Sequence, residues 1–307
     1  MQSTSHILMI RPINFGFNEQ TAESNAFQKN AEQTEVQQKA LQEFDAFVEI
    51  LRANEVDVTV INDTPEPHTP DSIFPNNWIS FHEDGSVFLY PMQAENRRLE
   101  RKVFNTIKEA FEAKQVYDLS YFEQQNQFLE GTGSMVLDRD NKLAYACISP
   151  RTNPEVLAEF CRISGYQTVS FHATDENGKA IYHTNVLMGI GDRFAVICLD
   201  SIPDETEKSA VKEALQQSGK EIVAISFGQM NAFAGNMLQL KSKSGESLLV
   251  MSETAFSSLK ETQIKALEKY STLIHTSLNT IETNGGGSAR CMMAEVFLPV
   301  KTASQKV

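Results

Sequence analysis

Cysteine is scarce in this 307-residue chain: Cys147, Cys161, Cys198 and Cys291 are the only four, and no two stand in C-x-x-C spacing. That excludes a zinc knuckle and a disulfide framework as organising devices. Positive charge is short as well, with 27 Lys and Arg against 40 Asp and Glu and a net charge of −13. A nucleic-acid partner needs a basic face, so this balance argues against one. It is compatible with cationic small molecules without demanding them. No apolar run approaches membrane-spanning length. The stretch His6-Ile7-Leu8-Met9-Ile10 is too short for a signal core and no basic segment precedes it, so a soluble cytoplasmic chain is expected. Hydrophobic residues at 41% and charged ones at 22% are globular values that exclude wholesale disorder.

What the chain does contain is a repeat. Trp78-Ile79-Ser80-Phe81, the turn His82-Glu83-Asp84-Gly85 and Ser86 to Tyr90 read as a β-hairpin. The pattern recurs at Gly133 to Leu137 with Leu143 to Cys147, at Asn185 to Gly189 with Phe194 to Cys198, and at Asn236 to Leu240 with Ser247 to Val250. Turn residues 85, 141, 192 and 245 lie 56, 51 and 53 residues apart. Between hairpins come a helical stretch and a short strand: Glu95 to Phe111 then Gln115 to Tyr117, Asp204 to Gln217 then Glu221 to Ile225, Ser257 to Tyr270 then Thr272 to His275. A fifth unit starts at Cys291 and closes on the N-terminal strand Ile7 to Ile10. Near-constant periods of this size indicate radial or solenoid architecture, and alternating strands and helices indicate α/β. The expected fold is α/β, one domain over residues 1–307, with five ββαβ modules around a pseudo-symmetry axis.

A polar cluster precedes the first strand of each hairpin: Asp71 with Asn76-Asn77, Glu130-Gly131-Thr132-Gly133, His183-Thr184-Asn185, Asn231 with Asn236, and Gly285 to Cys291. Modules around an axis bring these five clusters to the same end. Cys291, behind Gly285-Gly286-Gly287, is expected at the lip of a loop where backbone can approach a ligand. There a thiol can act as a nucleophile. The plainer alternative is a turn followed by a buried cysteine. Cys291, His183 and Glu130 supply the three types covalent catalysis needs: nucleophile, acid/base and orienter. His6, His68, His82, His172 and His275 read as surface or packing residues, and Cys147, Cys161 and Cys198 as core.

These residues resemble a known group. Pro70-Asp71-Ser72-Ile73-Phe74-Pro75-Asn76-Asn77, Leu129-Glu130-Gly131, Ser149-Pro150-Arg151-Thr152-Asn153, His183 and Gly285 to Cys291 follow the order of the guanidino-group-modifying enzymes. That superfamily includes arginine deiminase, dimethylarginine dimethylaminohydrolase (dimethylargininase) and glycine amidinotransferase. The chain is most similar to dimethylargininase-like bacterial amidinotransferases and citrulline-utilisation hydrolases. The resemblance implies a fivefold α/β propeller, a small-molecule substrate, and no metal or organic cofactor. It implies that Cys291 is the nucleophile, His183 the acid for the departing amine, and Glu130 the carboxylate beside that histidine. Asp71 would grip a guanidinium, and Arg97 and Arg151 would hold a substrate α-carboxylate.

The sequence departs from its relatives at Asn76-Asn77, where they carry carboxylates, and at Asn185, an aspartate in arginine deiminases. An amide in place of a carboxylate removes negative charge and adds a donor. Such a substrate-binding pocket suits a neutral ureido group better than a cation. The leading expectation is therefore a cofactor-free hydrolase of a guanidino or ureido amino-acid derivative (citrulline, arginine or a methylarginine), working through a covalent Cys291 thio-intermediate. The alternative is an amidinotransferase, in which an amine resolves that intermediate. A third reading, a catalytically silent arginine-binding scaffold, is disfavoured because Cys291, His183 and Glu130 occur together. No membrane or nucleic-acid partner is expected, and association into a homo-oligomer stays open.

Overall fold

The protein is described here by a computed structural model covering residues 1–22, 24–29 and 35–301. Its first strand, β1 (His6–Arg11), pairs in parallel with β2 (Asp57–Asn62) from His6↔Asp57 to Arg11↔Asn62. The second module has β3 (Ile79–Phe81), β4 (Ser86–Leu89) and β5 (Gln115–Asp118), and the third has β6 (Val136–Asp138), β7 (Leu143–Cys147) and β8 (Gln167–Phe171). The fourth is built of β9 (Met188–Ile190), β10 (Phe194–Ile197) and β11 (Glu221–Ala224), the fifth of β12 (Leu238–Lys241), β13 (Ser247–Ser252) and β14 (Thr272–Thr276). In each, the first two strands form an antiparallel hairpin and the third returns parallel to the second. A parallel return needs a crossover, which explains the helix between second and third strands.

The ring closes as the repeat requires. The last strand, β15 (Ala294–Glu295), pairs antiparallel with β1 through Ile7↔Glu295 and Leu8↔Ala294. The first module is thus assembled from both ends of the chain. First strands of neighbouring modules touch one another, β15 with β3, β6 with β9, and β9 with β12. They are buried, Lys241 at the end of β12 aside, whereas β5, β8 and β11 are half exposed. The fold is therefore a fivefold α/β propeller with the first strands innermost.

The crossover helices form for local reasons. Helix Val36–Ala53 buries Ala40, Phe44, Phe47, Val48 and Leu51, one stripe at helical spacing. Helix Pro154–Ser164 starts at Asn153, whose side chain accepts the N–H groups of Glu155 and Val156, and ends at Gly165 with φ 76°. Asp204 caps Glu205–Gln217 in the same way.

Several boundaries differ from the sequence expectation. The helix expected over residues 257–270 is two, Glu253–Ser258 and Glu261–Glu268, because Ser252 caps the first and Gln263 bonds back to the Lys260 N–H at the start of the second. The hairpin strands expected from Gly133 and Asn185 begin later, at Val136 and Met188. Residues Gly131–Ser134 and Thr184–Leu187 coil instead into single helical turns. Short apolar runs do not distinguish the two conformations by periodicity, and these turns shape the site.

Candidate active site

The site occupies one end of the propeller, where short helical turns lead into the first strands. Asn76 and Asn77 lie in the turn Pro75–Asn77, Glu130 and His183 immediately precede the turns Gly131–Ser134 and Thr184–Leu187, and Cys291 sits in the turn Ala289–Met292. All five side chains are buried. An extended strand would send alternate residues to opposite faces; a turn lets consecutive polar residues face the axis.

Glu130 and His183 are directly joined, Oε2 to Nε2 at 2.8 Å. The other Glu130 oxygen accepts the Gln93 backbone N–H at 3.0 Å, and Arg151 Nη1 stands 3.4 Å from Oε2. Burial raises the Glu130 carboxyl, but Arg151, His183 and Arg97 together outweigh it and hold the group well below the usual carboxylate range. Burial acts oppositely on His183: desolvation lowers it to about 4, against the raising effect of Glu130. We take Glu130 as ionised, with Arg151 beside it, and His183 as neutral. Nε2–H then donates to Glu130 and Nδ1 keeps its lone pair, the form a base needs. Gly133 makes room for that nitrogen, since a Cβ there would lie 2.8 Å from Nδ1 and 2.4 Å from Asn77 Nδ2.

Cys291 is not at an open lip. It is 6% exposed, and Phe15, Asn25 and Gln28 of the segment after β1 pack against the glycine loop. Asn25 Nδ2 donates to the carbonyls of Gly285 and Gly286 at 3.3 Å, and the Tyr182 hydroxyl donates to Gly286 O at 2.9 Å. The sulfur accepts two side-chain amides, Asn236 Nδ2 at 3.2 Å and Asn185 Nδ2 at 3.3 Å. Asn185 therefore stands at the thiol. Asn236, marked by the repeat but given no role from sequence, stands there too.

Asp71 Oδ2 accepts from Asn18 Nδ2 at 2.7 Å and Thr21 Oγ1 at 3.3 Å; its Oδ1 has no partner among the described residues. Burial raises its pKa against the lowering effect of Arg97. Arg97 lines the pocket with most of its donors in use. It makes two bonds to Glu100 at 2.7 and 3.0 Å, one to Asn77 Oδ1 at 2.8 Å and one to Phe74 O at 3.2 Å. Arg151 is held by the covering segment, through Ser24 Oγ at 2.5 and 3.1 Å and Thr21 O at 3.1 Å, and its guanidinium lies 4.8 Å from the Tyr182 ring centre.

Asp71, Asn77, Arg97, Arg151, His183 and Cys291 thus line one cavity, with Thr21, Asn25 and Tyr182 from the segments above. Asn76 is fully buried nearby, neither amide atom having a partner among the described residues. The cavity is about 20 Å³, space for one water. An amino acid does not fit in that volume. A recess of about 650 Å³ adjoins it, lined by Gln20, Ser24, Glu95 and Tyr182 among others. The covering residues Asn18, Thr21, Ser24 and Asn25 escaped the sequence reading; the long stretch between β1 and its crossover helix was the only available signal. Among the described residues, no group of three or more His, Cys, Asp or Glu is placed to hold a metal ion, and no helix is long and apolar enough to cross a membrane.

A family model described as N,N dimethylarginine dimethylhydrolase, eukaryotic, matches residues 11–298. No curated protein sequence matches the chain. Among solved structures, the N-terminal domain of ArgZ, an arginine dihydrolase from the ornithine-ammonia cycle in cyanobacteria, is similar at TM-score 0.76 and 16% identity, over 95% of this chain and 97% of that one. Unliganded AgrE gives 0.76 at 18% identity, over 97% of this chain and 40% of its own length. A dimethylarginine dimethylaminohydrolase adduct with 4-chloro-2-hydroxymethylpyridine gives 0.64 at 16% identity, over 95% and 99%. At such identities the likeness carries the fold.

Proposed function

This chain belongs to the N,N-dimethylarginine dimethylhydrolase family, and from that premise we propose that it hydrolyses the ureido group of a citrulline-type amino acid through a thio-intermediate on Cys291. The observation that carries this reading is the orientation of Asn77. Its Oδ1 faces Arg97 Nη1 at 2.8 Å, and a guanidinium has no acceptor, so the amide cannot be turned the other way. The Nδ2 group is then the buried one at the cavity, without a partner among the described residues. A free N–H donor needs an acceptor. A ureido carbonyl offers one, and a guanidinium, all donors, does not.

The steps follow from the proton inventory. Neutral His183 takes the Cys291 proton. The thiolate attacks the ureido carbon, and charge gathers on the carbonyl oxygen, where Asn77 Nδ2–H receives it. The carbon–nitrogen bond breaks as His183 returns the proton to the departing amine. Water then gives a proton to His183 and its oxygen to the thiocarbamate carbon, the sulfur–carbon bond breaks, and the carbamate falls apart. One ureido group and one water yield an alkylamine, ammonia and carbon dioxide. Glu130 holds the histidine and its transient charge. When the covering segment lifts, Arg151 loses Ser24 and Thr21 and its planar fork is free for the substrate carboxylate.

A second reading has one observation in its favour. Asp71 keeps a buried oxygen with no partner among the described residues, which suits a cationic guanidinium. Arginine would then be the first substrate, hydrolysed on its guanidino carbon and again as the ureido product. Kinetics with citrulline and arginine, with products identified by mass spectrometry, decide between them. A kcat/KM favouring citrulline supports the ureido reading; a strong preference for arginine refutes it.

A further inference from the structure

The cluster contributed by the module of β12 has no part in the chemistry above, yet Asn236 touches the nucleophile. The orientation of its amide is fixed by its neighbours. Oδ1 accepts the Arg290 backbone N–H at 3.0 Å, so the amide nitrogen must face the other way, where it donates to the Asn185 carbonyl at 3.0 Å and to Cys291 Sγ at 3.2 Å. Asn185 Nδ2 adds a second donor at 3.3 Å, and both asparagines are 1% exposed. The backbone is built to bring Asn236 there. Gly235 packs against the turn Thr184–Leu187 so closely that a Cβ would lie 2.4 Å from Val186 O. Phe233 takes a left-handed φ of 62°, uncommon for a bulky residue, and its carbonyl accepts the Asn236 N–H at 2.8 Å.

We propose that Asn236, seconded by Asn185, is a catalytic residue that holds Cys291 in its thiolate form and receives it again when the thio-intermediate breaks down. This rests on the reading of Cys291 as nucleophile acting on a neutral ureido group. Two N–H groups aimed at one sulfur are matched by an anion better than by a thiol, because a hydrogen bond to a charged acceptor is the stronger one. A cationic substrate could supply opposite charge at the sulfur as it binds. A ureido substrate brings none, so the protein must provide the stabilisation itself. The sulfur is an anion twice per turnover, before attack and on release. Loss of these donors should therefore act on kcat more than on KM.

The test is an ultraviolet thiolate titration without substrate, each protein read against its Cys291→Ser counterpart so that only this sulfur is seen. Asn236→Asp keeps an oxygen for the Arg290 N–H, so the loop contact survives, but it replaces both N–H donors with negative charge. The titration midpoint should rise by about one pH unit or more, roughly a tenfold loss of thiolate at neutral pH. Asn185→Ala should raise it less, because one donor remains. With turnover, kcat should fall while KM stays near wild type. Midpoints unchanged in both variants would overturn the proposal and leave Asn236 a loop anchor. Failure of the wild type to turn over citrulline would refute the ureido reading, but the titration, run without substrate, would still decide this one.

Discussion

Replacing Asn77 by aspartate is the perturbation that bears most directly on substrate choice. The Arg97 guanidinium would keep its acceptor, since a carboxylate oxygen takes the place of Oδ1 at 2.8 Å. The nitrogen that would meet the ureido oxygen becomes a second oxygen. Around the cavity Arg97 and Arg151 stand among Asp71, Glu100 and Glu130; burial raises Asp71 and pushes Glu100 up to about 8, whereas Glu130 is held low, and His183 is neutral. The new carboxyl brings negative charge into a buried place when it ionises, and a cationic substrate relieves it. Loss of one donor to a developing oxyanion costs roughly 10²–10³ in rate, which is the expected fall for citrulline. Each 1.4 kcal/mol of new charge pairing returns about tenfold to arginine. The ratio of kcat/KM for citrulline over arginine should drop by on the order of 10³ or more. Steady-state kinetics on both substrates measure it, with thermal unfolding as the control for the fold. A ratio within about threefold of wild type, in a protein that melts normally, would refute the argument that the Asn77 amide selects the ureido group.

Cys291→Ser should abolish turnover while the protein still folds; full activity in that variant would remove the covalent mechanism. Cys147, fully buried with its sulfur 3.5 Å from the Ile181 carbonyl, should behave oppositely on change to alanine, losing about 1–3 kcal/mol by denaturant unfolding with chemistry intact. His183→Gln should slow turnover by roughly two to four orders of magnitude, seen in single-turnover rates with citrulline. The same histidine gives a pH dependence of stability. Its folded pKa of about 4 lies below the ordinary 6.5, so the unfolded chain binds the proton first and stability is lost as pH falls from 6.5 towards 4. The gap is worth about 3 kcal/mol, and buried His82, also lowered by desolvation, adds in the same direction. Unfolding free energies measured across that window should fall less steeply in His183→Gln than in wild type.

The repeat alone determined a good deal. Hairpin turns at near-constant spacing, each followed by a helix and a short strand, implied five modules, and the orphan strands at the two ends implied closure. Burial at period 2 and period 3.6 is a local property of the chain, so sequence carries it. The same spacing put Glu130, His183 and Cys291 at equivalent module entrances, and the structure brings them to one end of the ring. Short windows hid the rest. The residues before β6 and β9 read as strand but coil into turns, because a few apolar residues fit either form.

Tertiary structure alone decided which way the amides point and what covers the sulfur. Asn77 and Asn236 are symmetric groups on paper. Their donor ends are fixed only by Arg97 and by the Arg290 backbone, partners 20 and 54 residues away. The glycine loop ahead of the thiol is held by Asn25, which lies 260 residues from Gly285. A hydrogen bond depends on distance and angle between atoms the chain brings together only after the ring has closed. No local pattern in the sequence records that.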